Sequence, residues 1–136
     1  MGTITLKGWA FVPGPAVATV VPFSSTDVYD IATYAISAVA GAFLEIPGFR
    51  LVHPPMPTWY EWEARWERDN RALALRMSQF EDPNHSWGGS EFSAVCEPFD
   101  ILAILRAIHQ KFPRVWLHNA ECEVHSPDSF SRLYAS

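Results

Sequence analysis

Segments in which apolar and polar residues alternate are interleaved along this chain with segments whose apolar residues recur every three or four positions. Residues 3–12, 91–97 and 115–118 show the alternation of a strand, whereas residues 27–44 and 98–112 show the spacing of a helix. Each pattern gathers its apolar residues on one side only in its own conformation. The chain must therefore fold as a mixture of strands and helices.

The first alternating segment predicts a strand over residues 3–12, with Leu6 and Phe11 on opposite sides of it. Residues 13–15, with the sequence Pro-Gly-Pro, then break the pattern. The β-branched residues within 17–23 predict a return strand. We therefore expect the chain to open on a β-hairpin whose loop is longer than two residues.

Two helices are predicted before residue 80. Acidic residues in the first turn and helical spacing predict the first helix over about residues 27–44. Thr58 and Glu61 match a capping box, which predicts that a second helix begins there. Its apolar stripe, which is interrupted at Asp69-Asn70, consists of Trp59, Trp62, Trp66, Leu73, Met77 and Phe80.

The last third of the chain carries clear boundary signals. A strand over residues 91–97 runs into Pro98, which suits the first turn of a helix that Pro113 ends. Strands are predicted at residues 115–118 and 122–125. Ser126, followed by a proline and an aspartate, predicts the start of a short last helix.

Together these segments predict a single globular α+β domain over residues 1–136. We expect a single mixed, largely antiparallel sheet of about five strands with two or three helices packed on it. A layered α/β arrangement with a parallel core is the alternative, because strands joined by helices favour parallel pairs.

The formal net charge is −5, and the acidic excess lies in residues 81–136, which hold eight acids and four bases. This distribution argues against a nucleic-acid-binding surface, which needs clustered lysines and arginines, and it permits a basic protein partner. The chain shows no signal-peptide pattern, no apolar run long enough to span a bilayer, and two cysteines only. We therefore expect a cytoplasmic protein without membrane contact.

No catalytic residue, cofactor or metal site is predicted. His118, Cys122 and His125 form the nearest grouping with ligand-like spacing, but Cys122 and His125 point to opposite faces of the predicted strand. Cys96 alternates with Phe92 and Ala94, which indicates a buried thiol.

Five residues are candidates for contact with a partner. Trp87 lies in a glycine-rich loop without periodic partners, where an exposed ring would be an anchor and a buried ring would close the end of the core. The others are acidic residues of the second half: Glu91, Glu121, Glu123 and Asp128.

Three functions are consistent with these patterns. The first is a small acidic binding or inhibitor protein that neutralises a protein partner by surface complementarity. Immunity proteins of bacterial toxins and phage-encoded inhibitors act in this way, and the comparison is an analogy of class only. The second is a small enzyme with a site assembled around Cys96 and a histidine. The third is a structural homo-oligomer that uses the edge of the opening hairpin.

Overall fold

A computed structural model describes residues 2–18, 20–25, 31–52, 60–79 and 84–134. The strands within these ranges are β1 (Ile4–Pro13), β2 (Phe23–Ser24), β3 (Phe49–Leu51), β4 (Tyr60–Arg68), β5 (Arg71–Gln79), β6 (Ser90–Cys96), β7 (Val115–His118) and β8 (Glu123–His125). The helices are α1 (Ile36–Glu45), α2 (Pro98–His109) and α3 (Pro127–Leu133).

All eight strands belong to one open sheet in the order β2-β8-β7-β1-β6-β5-β4-β3. Neighbouring strands pair antiparallel throughout. The predicted α+β class is therefore confirmed, but the sheet is larger than the expected five strands and has no parallel core. Its two edge strands are only two and three residues long, so they offer little backbone for pairing with another chain.

The predicted second helix is wrong, because residues 60–79 form a β-hairpin. β4 and β5 pair in register from Tyr60 opposite Gln79 to Arg68 opposite Arg71. Asp69 and Asn70 connect them with φ values of 50° and 43°, as a two-residue type I′ turn requires. Thr58, Trp59 and Phe80 of the predicted stripe lie outside the described residues.

The substitution Asn70→Gly should have opposite effects on stability in a hairpin turn and in a helix. Asn70→Gly should raise the free energy of unfolding by about 0.5–1 kcal/mol, because glycine adopts a positive φ without a steric penalty. In the interior of a helix the same change would lower it by about 0.3 kcal/mol. Urea denaturation followed by circular dichroism measures the difference. Asn70→Val is the control, because valine strains the turn and should lower the free energy of unfolding. If Asn70→Gly also lowered it, residues 69 and 70 would not form a type I′ turn.

A β-bulge in β1 changes which residues of the opening strand face the core. The pairing with β6 shifts between Leu6 and Trp9, and Gly8 has a φ of +75°. The extra residue places Leu6, Trp9 and Phe11 on the same, buried side. The expectation that Leu6 and Phe11 lie on opposite sides was therefore wrong, since it assumed an unbroken alternation.

The expected opening hairpin is also wrong. β1 pairs with β6 and β7 in the middle of the sheet, and the short β2 pairs with β8. The segment between β1 and β2 contacts β7, because the indole of Trp116 donates a hydrogen bond to the carbonyl of Pro15 at 2.9 Å. The ring of Phe23 then meets Trp116 edge to face, at 5.2 Å between centroids. This segment covers the outward side of β7.

The first helix is shorter than predicted, and the later elements agree with the expectations. α1 begins at Ile36 rather than residue 27, and residues 26–30 lie outside the described part of the chain. The strand before Pro98, the helix it opens and the strand at residues 115–118 are confirmed. In α3, Ser126 accepts a hydrogen bond from the amide of Ser129 as the predicted cap.

The core lies between the helices and one face of the sheet. Phe11 of β1 stacks on Phe92 of β6 at 4.8 Å and contacts Phe43 of α1 at 5.1 Å between ring centroids. Phe130 of α3 meets Trp9 on this same side. All three helices contribute to this core, so they pack on one face of the sheet. In the described residues no helix is long and apolar enough to cross a membrane.

Candidate functional site

The face of the sheet opposite the helices is uncovered over β4, β5, β6 and β1 in the part of the chain that the structure describes. We call this surface the open face. Its residues alternate with the buried ones along each strand. They are Thr5, Lys7, Glu63, Arg65, Glu67, Ala72, Ala74, Arg76, Glu91, Ser93 and Val95.

A groove runs along the open face where its middle strands carry small side chains. Ala72 and Ala74 of β5 and Ser93 of β6 form the floor, while the longer side chains of β4 and β1 rise on either side. The groove has a larger part of about 440 Å³ and a smaller part of about 280 Å³. The two parts share Lys7, Ala74 and Ser93, so they lie next to each other on the open face.

The strand register arranges the charges of the open face in three bands across the strands. The middle band is positive, because it contains Arg50, Arg65 and Lys7. In this band Arg50 pairs with Arg65, and the row continues through Ala74 and Ser93 to the bulge at Lys7.

The two outer bands contain glutamates. One of them places Glu67 beside Ala72, Val95 and Thr5, in consecutive strand pairs. The other is mixed, because it contains Arg76 between Glu63 and Glu91. A surface with both signs of charge in a fixed arrangement can select a partner by its charge pattern.

Two ion pairs connect these bands at the β4 side of the groove. Arg65 contacts Glu63 at 2.7 Å and Arg50 contacts Glu67 at 2.8 Å. Such exposed pairs contribute about 0–1 kcal/mol each, so a partner can exchange them for its own charges at little cost. Lys7, in contrast, makes no ion pair with any described residue.

The structure brings one of the five predicted contact residues into the open face. Glu91 lines the smaller part of the groove. Glu121, Glu123 and Asp128 are exposed near β8 and α3, at the other end of the sheet. There the side chain of Asn119 organises the turn by accepting hydrogen bonds from the amides of Glu121 and Glu123.

Trp87 belongs to the core and not to the surface. Its side chain is 2% exposed, and its indole nitrogen donates to the hydroxyl of Ser90 at 2.8 Å. The ring therefore closes the end of the core, and it is not the exposed anchor that the sequence also allowed. A partner cannot use Trp87 as an anchor in this conformation.

The thiol of Cys96 is unsuited to nucleophilic chemistry. It is fully buried on the inner side of β6, and burial, followed by the negative charge of Asp100, raises the pKa of the thiol to about 12. At neutral pH a thiolate, which is the reactive form, is therefore not formed. Cys122 is exposed, and the two cysteines are not joined by a disulfide.

Ser129, His125 and Glu123 form a row of contacts near the start of α3, but the serine and the histidine are buried. Nδ1 of His125 is 3.0 Å from the hydroxyl of Ser129, and Nε2 is 3.8 Å from the carboxylate of Glu123. The hydroxyl of Ser129 is buried and also accepts from the amide of Ser126. Because no substrate can reach the hydroxyl, this group caps the helix and does not form an active site. The described residues contain no group of three or more potential metal-binding side chains.

The burial of His125 predicts a loss of stability in acid. Burial lowers the pKa of this imidazole in the folded protein, and Arg132 acts in the same direction, although Glu123 opposes them. The unfolded chain therefore binds a proton at pH values where the folded chain does not. We expect the free energy of unfolding to be steady above about pH 6.5 and to fall as the pH drops below that value.

Urea titrations at a series of pH values measure this dependence. His125→Gln should flatten the decline below about pH 6.5, because it removes the group that titrates. The parent chain, measured under the same conditions, gives the reference slope. An unchanged slope in His125→Gln would refute the assignment.

The fold and the open face define the chain as an α+β protein with one antiparallel sheet that is covered by helices on a single side. Comparisons with known protein families, with curated proteins and with solved structures find no match.

Proposed function

We propose that this chain is a small binding protein that neutralises a protein partner by surface complementarity, with the open face as the contact surface. The observation that carries the proposal is the groove along β5 and β6, whose flanks hold charges in three ordered bands. The helices cover the apolar face of the sheet, and an antiparallel sheet can present its other face to water. The polar and charged residues of the open face are therefore available to a partner.

The other two hypotheses have weaker support. The enzyme hypothesis depended on Cys96, which is buried with a raised pKa. The homo-oligomer hypothesis depended on the edge of an opening hairpin, but β1 lies inside the sheet between β6 and β7 and does not form such a hairpin. Glu121, Glu123 and Asp128 are distant from the groove along the sheet, so we do not include them in the contact surface.

A groove-filling substitution tests the proposal. Ser93 is exposed on the groove floor, so Ser93→Trp should fill the trough without disturbing the core. We expect this variant to bind the native partner at least about tenfold more weakly than the parent chain, which corresponds to about 1.4 kcal/mol. Affinity capture from the source organism, followed by titration of the captured protein, measures the change.

The matched control introduces the same ring on the helical side. Ala103 is exposed on α2, and Ala103→Trp should bind the partner as the parent does. Circular dichroism confirms that both variants are folded. The proposal fails if the parent captures no protein, or if Ser93→Trp and Ala103→Trp bind equally well.

A further inference from the structure

We infer that the first half of β1 is a strand-addition site, where an extended segment of a protein partner pairs with the backbone of Thr5 and Lys7 and enlarges the sheet. This inference goes beyond the proposed function, because it concerns the edge of a strand and not the open face. It is carried by the register of β1, the direction of its backbone groups and the exposure of its side chains.

β1 has a neighbour on both sides over its second half only. β7 pairs with residues 10–13, whereas β6 pairs with β1 as far as Ile4. The turn between β7 and β8 ends beside Gly8, where an added Cβ would lie 3.2 Å from the Cβ of Ala120. From Lys7 back to Ile4, no described residue pairs with β1 on the side away from β6. We call this stretch the free edge of β1.

The hydrogen bonds to β7 show which backbone groups of β1 point to each side. The amide of Gly14 donates to the carbonyl of Arg114 at 2.9 Å, and this bond continues the register in which β1 pairs with β7. Successive residues of a strand direct their backbone groups to opposite sides. Residues 10, 12 and 14 therefore face β7, and residues 9 and 11 face β6.

The register with β6 extends this assignment across the bulge. Residues 9 and 11 are opposite residues 92 and 90, so the even-numbered residues of β6 direct their backbone groups to β1. Ile4 and Leu6 are also opposite even-numbered residues of β6, and they therefore bond to β6. The amide and carbonyl groups of Thr5 and Lys7 point the other way, into the space that β7 does not occupy.

Unpaired backbone groups of this kind specify an extended chain as the occupant. A strand supplies donors and acceptors at the spacing of the free edge, whereas a helix uses its own backbone groups internally. The free edge is four residues long, which is about 14 Å. Antiparallel pairing is expected, because every described pair of strands in this sheet is antiparallel.

The side chains along the free edge specify the chemistry of that strand. Thr5 and Lys7 are exposed on the open face, whereas Leu6 is buried on the helical side and Ile4 is partly buried there. Lys7 makes no ion pair with any described residue. The added strand should therefore alternate, with an acidic side chain opposite Lys7 and apolar side chains opposite Ile4 and Leu6.

A second copy of the chain matches the free edge less well. Pairing of two β1 strands would bring no acid to Lys7, because β1 contains no acidic residue. A second copy would also have to place its whole sheet end to end with β7, β8 and β2. A single extended segment needs the width of one strand, about 4.8 Å.

Two short peptides test the inference on the full chain. Each has about seven residues and blocked ends, and valine alternates either with glutamate or with lysine. In the free chain, amide hydrogen exchange should be faster at Thr5 and Lys7 than at Ile4 and Leu6. We expect the glutamate peptide to slow exchange at Thr5 and Lys7 at least about tenfold. It should also bind at least about fivefold more tightly than the lysine peptide at low salt, and the difference should shrink as salt rises.

N-methylation of the glutamate peptide provides the matched control. In an antiparallel pair, residues that exchange hydrogen bonds have their side chains on the same face, so the glutamates opposite Thr5 and Lys7 must donate their amides to β1. Methylation of the glutamate amides should abolish binding, whereas methylation of the valine amides should preserve it.

Three results would overturn the inference. They are equal binding of the glutamate and lysine peptides, equal binding of the two methylated peptides, and unchanged exchange at Thr5 and Lys7 when the glutamate peptide is bound. A dimer in solution whose Thr5 and Lys7 amides are already protected would also overturn it, because a second copy would then occupy the free edge.

Discussion

Replacing Phe92 by alanine is expected to lower the free energy of unfolding by about 3–5 kcal/mol. Phe92 is 1% exposed and stacks on Phe11 at 4.8 Å, at the point where β6 and β1 pair in the middle of the sheet. Phe11 in turn contacts Phe43 of α1. The substitution would leave a cavity where the two central strands meet the helical layer, and the surrounding residues can close it only in part.

The same substitution at an exposed phenylalanine is the control. Phe99, in the first turn of α2, is 64% exposed, so Phe99→Ala should change the free energy of unfolding by no more than about 0.5 kcal/mol. Urea denaturation followed by circular dichroism measures both. Equal effects of the two substitutions would mean that the inner face of β6 is not the centre of the core.

Replacing Asp100 by alanine is expected to cost about 2–4 kcal/mol, as a combination of a lost cap and a broken ion pair. The carboxylate of Asp100 accepts a hydrogen bond from the amide of Glu97 at 2.9 Å, which caps the start of α2. It also contacts Nε of Arg71, the first residue of β5, at 2.9 Å. The side chain of Asp100 is buried, whereas Arg71 is partly exposed and can be hydrated when its partner is removed.

Asp128 provides the matched control for Asp100. It also lies in the first turn of a helix that begins with a proline, but it is exposed. Asp128→Ala should therefore lose only the interaction with the helix dipole, about 0.5 kcal/mol. If urea denaturation gives the same loss for both variants, Asp100 does not connect α2 to the hairpin as described.

The elements that could be predicted from the sequence are those with local signals at both ends. Pro98 marks the first turn of α2, and Ser126 with Pro127 marks the start of α3. The strands β6 and β7 show an unbroken alternation of buried and less buried residues. In these segments the boundary residues and the periodicity agree, so neighbouring parts of the chain were not needed to decide the conformation.

The hairpin β4–β5 could not be recognised from periodicity alone. Trp62 and Trp66 are four residues apart, as are Leu73 and Met77, and a spacing of four fits one side of a strand as well as a helix. Glutamate, arginine, alanine and leucine also favour a helix locally. Pairing with β3 and β6 stabilises the strand conformation of β4 and β5, and these partners are distant in the sequence. Asp69-Asn70 was the available signal, because such pairs accept the positive φ values of a hairpin turn.

The candidate site was missed for the same reason. Arg65, Ala72 and Ala74 line one groove only because β4 and β5 are strands whose outer residues alternate with buried ones. Lys7 joins them because β1 lies in the centre of the sheet, an arrangement set by contacts between distant segments. The bulge that follows Lys7 had one local signal, since a glycine inside a strand pattern often marks a bulge.

The most direct test of this account is thiol labelling at four alanines of the sheet, each replaced singly by cysteine in a Cys122→Ser background. Ala72 and Ala74 face the groove, whereas Ala64 and Ala94 are buried on the helical side. We predict that Ala72→Cys and Ala74→Cys react with a water-soluble maleimide in the folded protein, and that Ala64→Cys and Ala94→Cys react only after unfolding. Protection of Ala72→Cys or Ala74→Cys would contradict an open face, because residues two apart share the same side of a strand but lie on different sides of a helix.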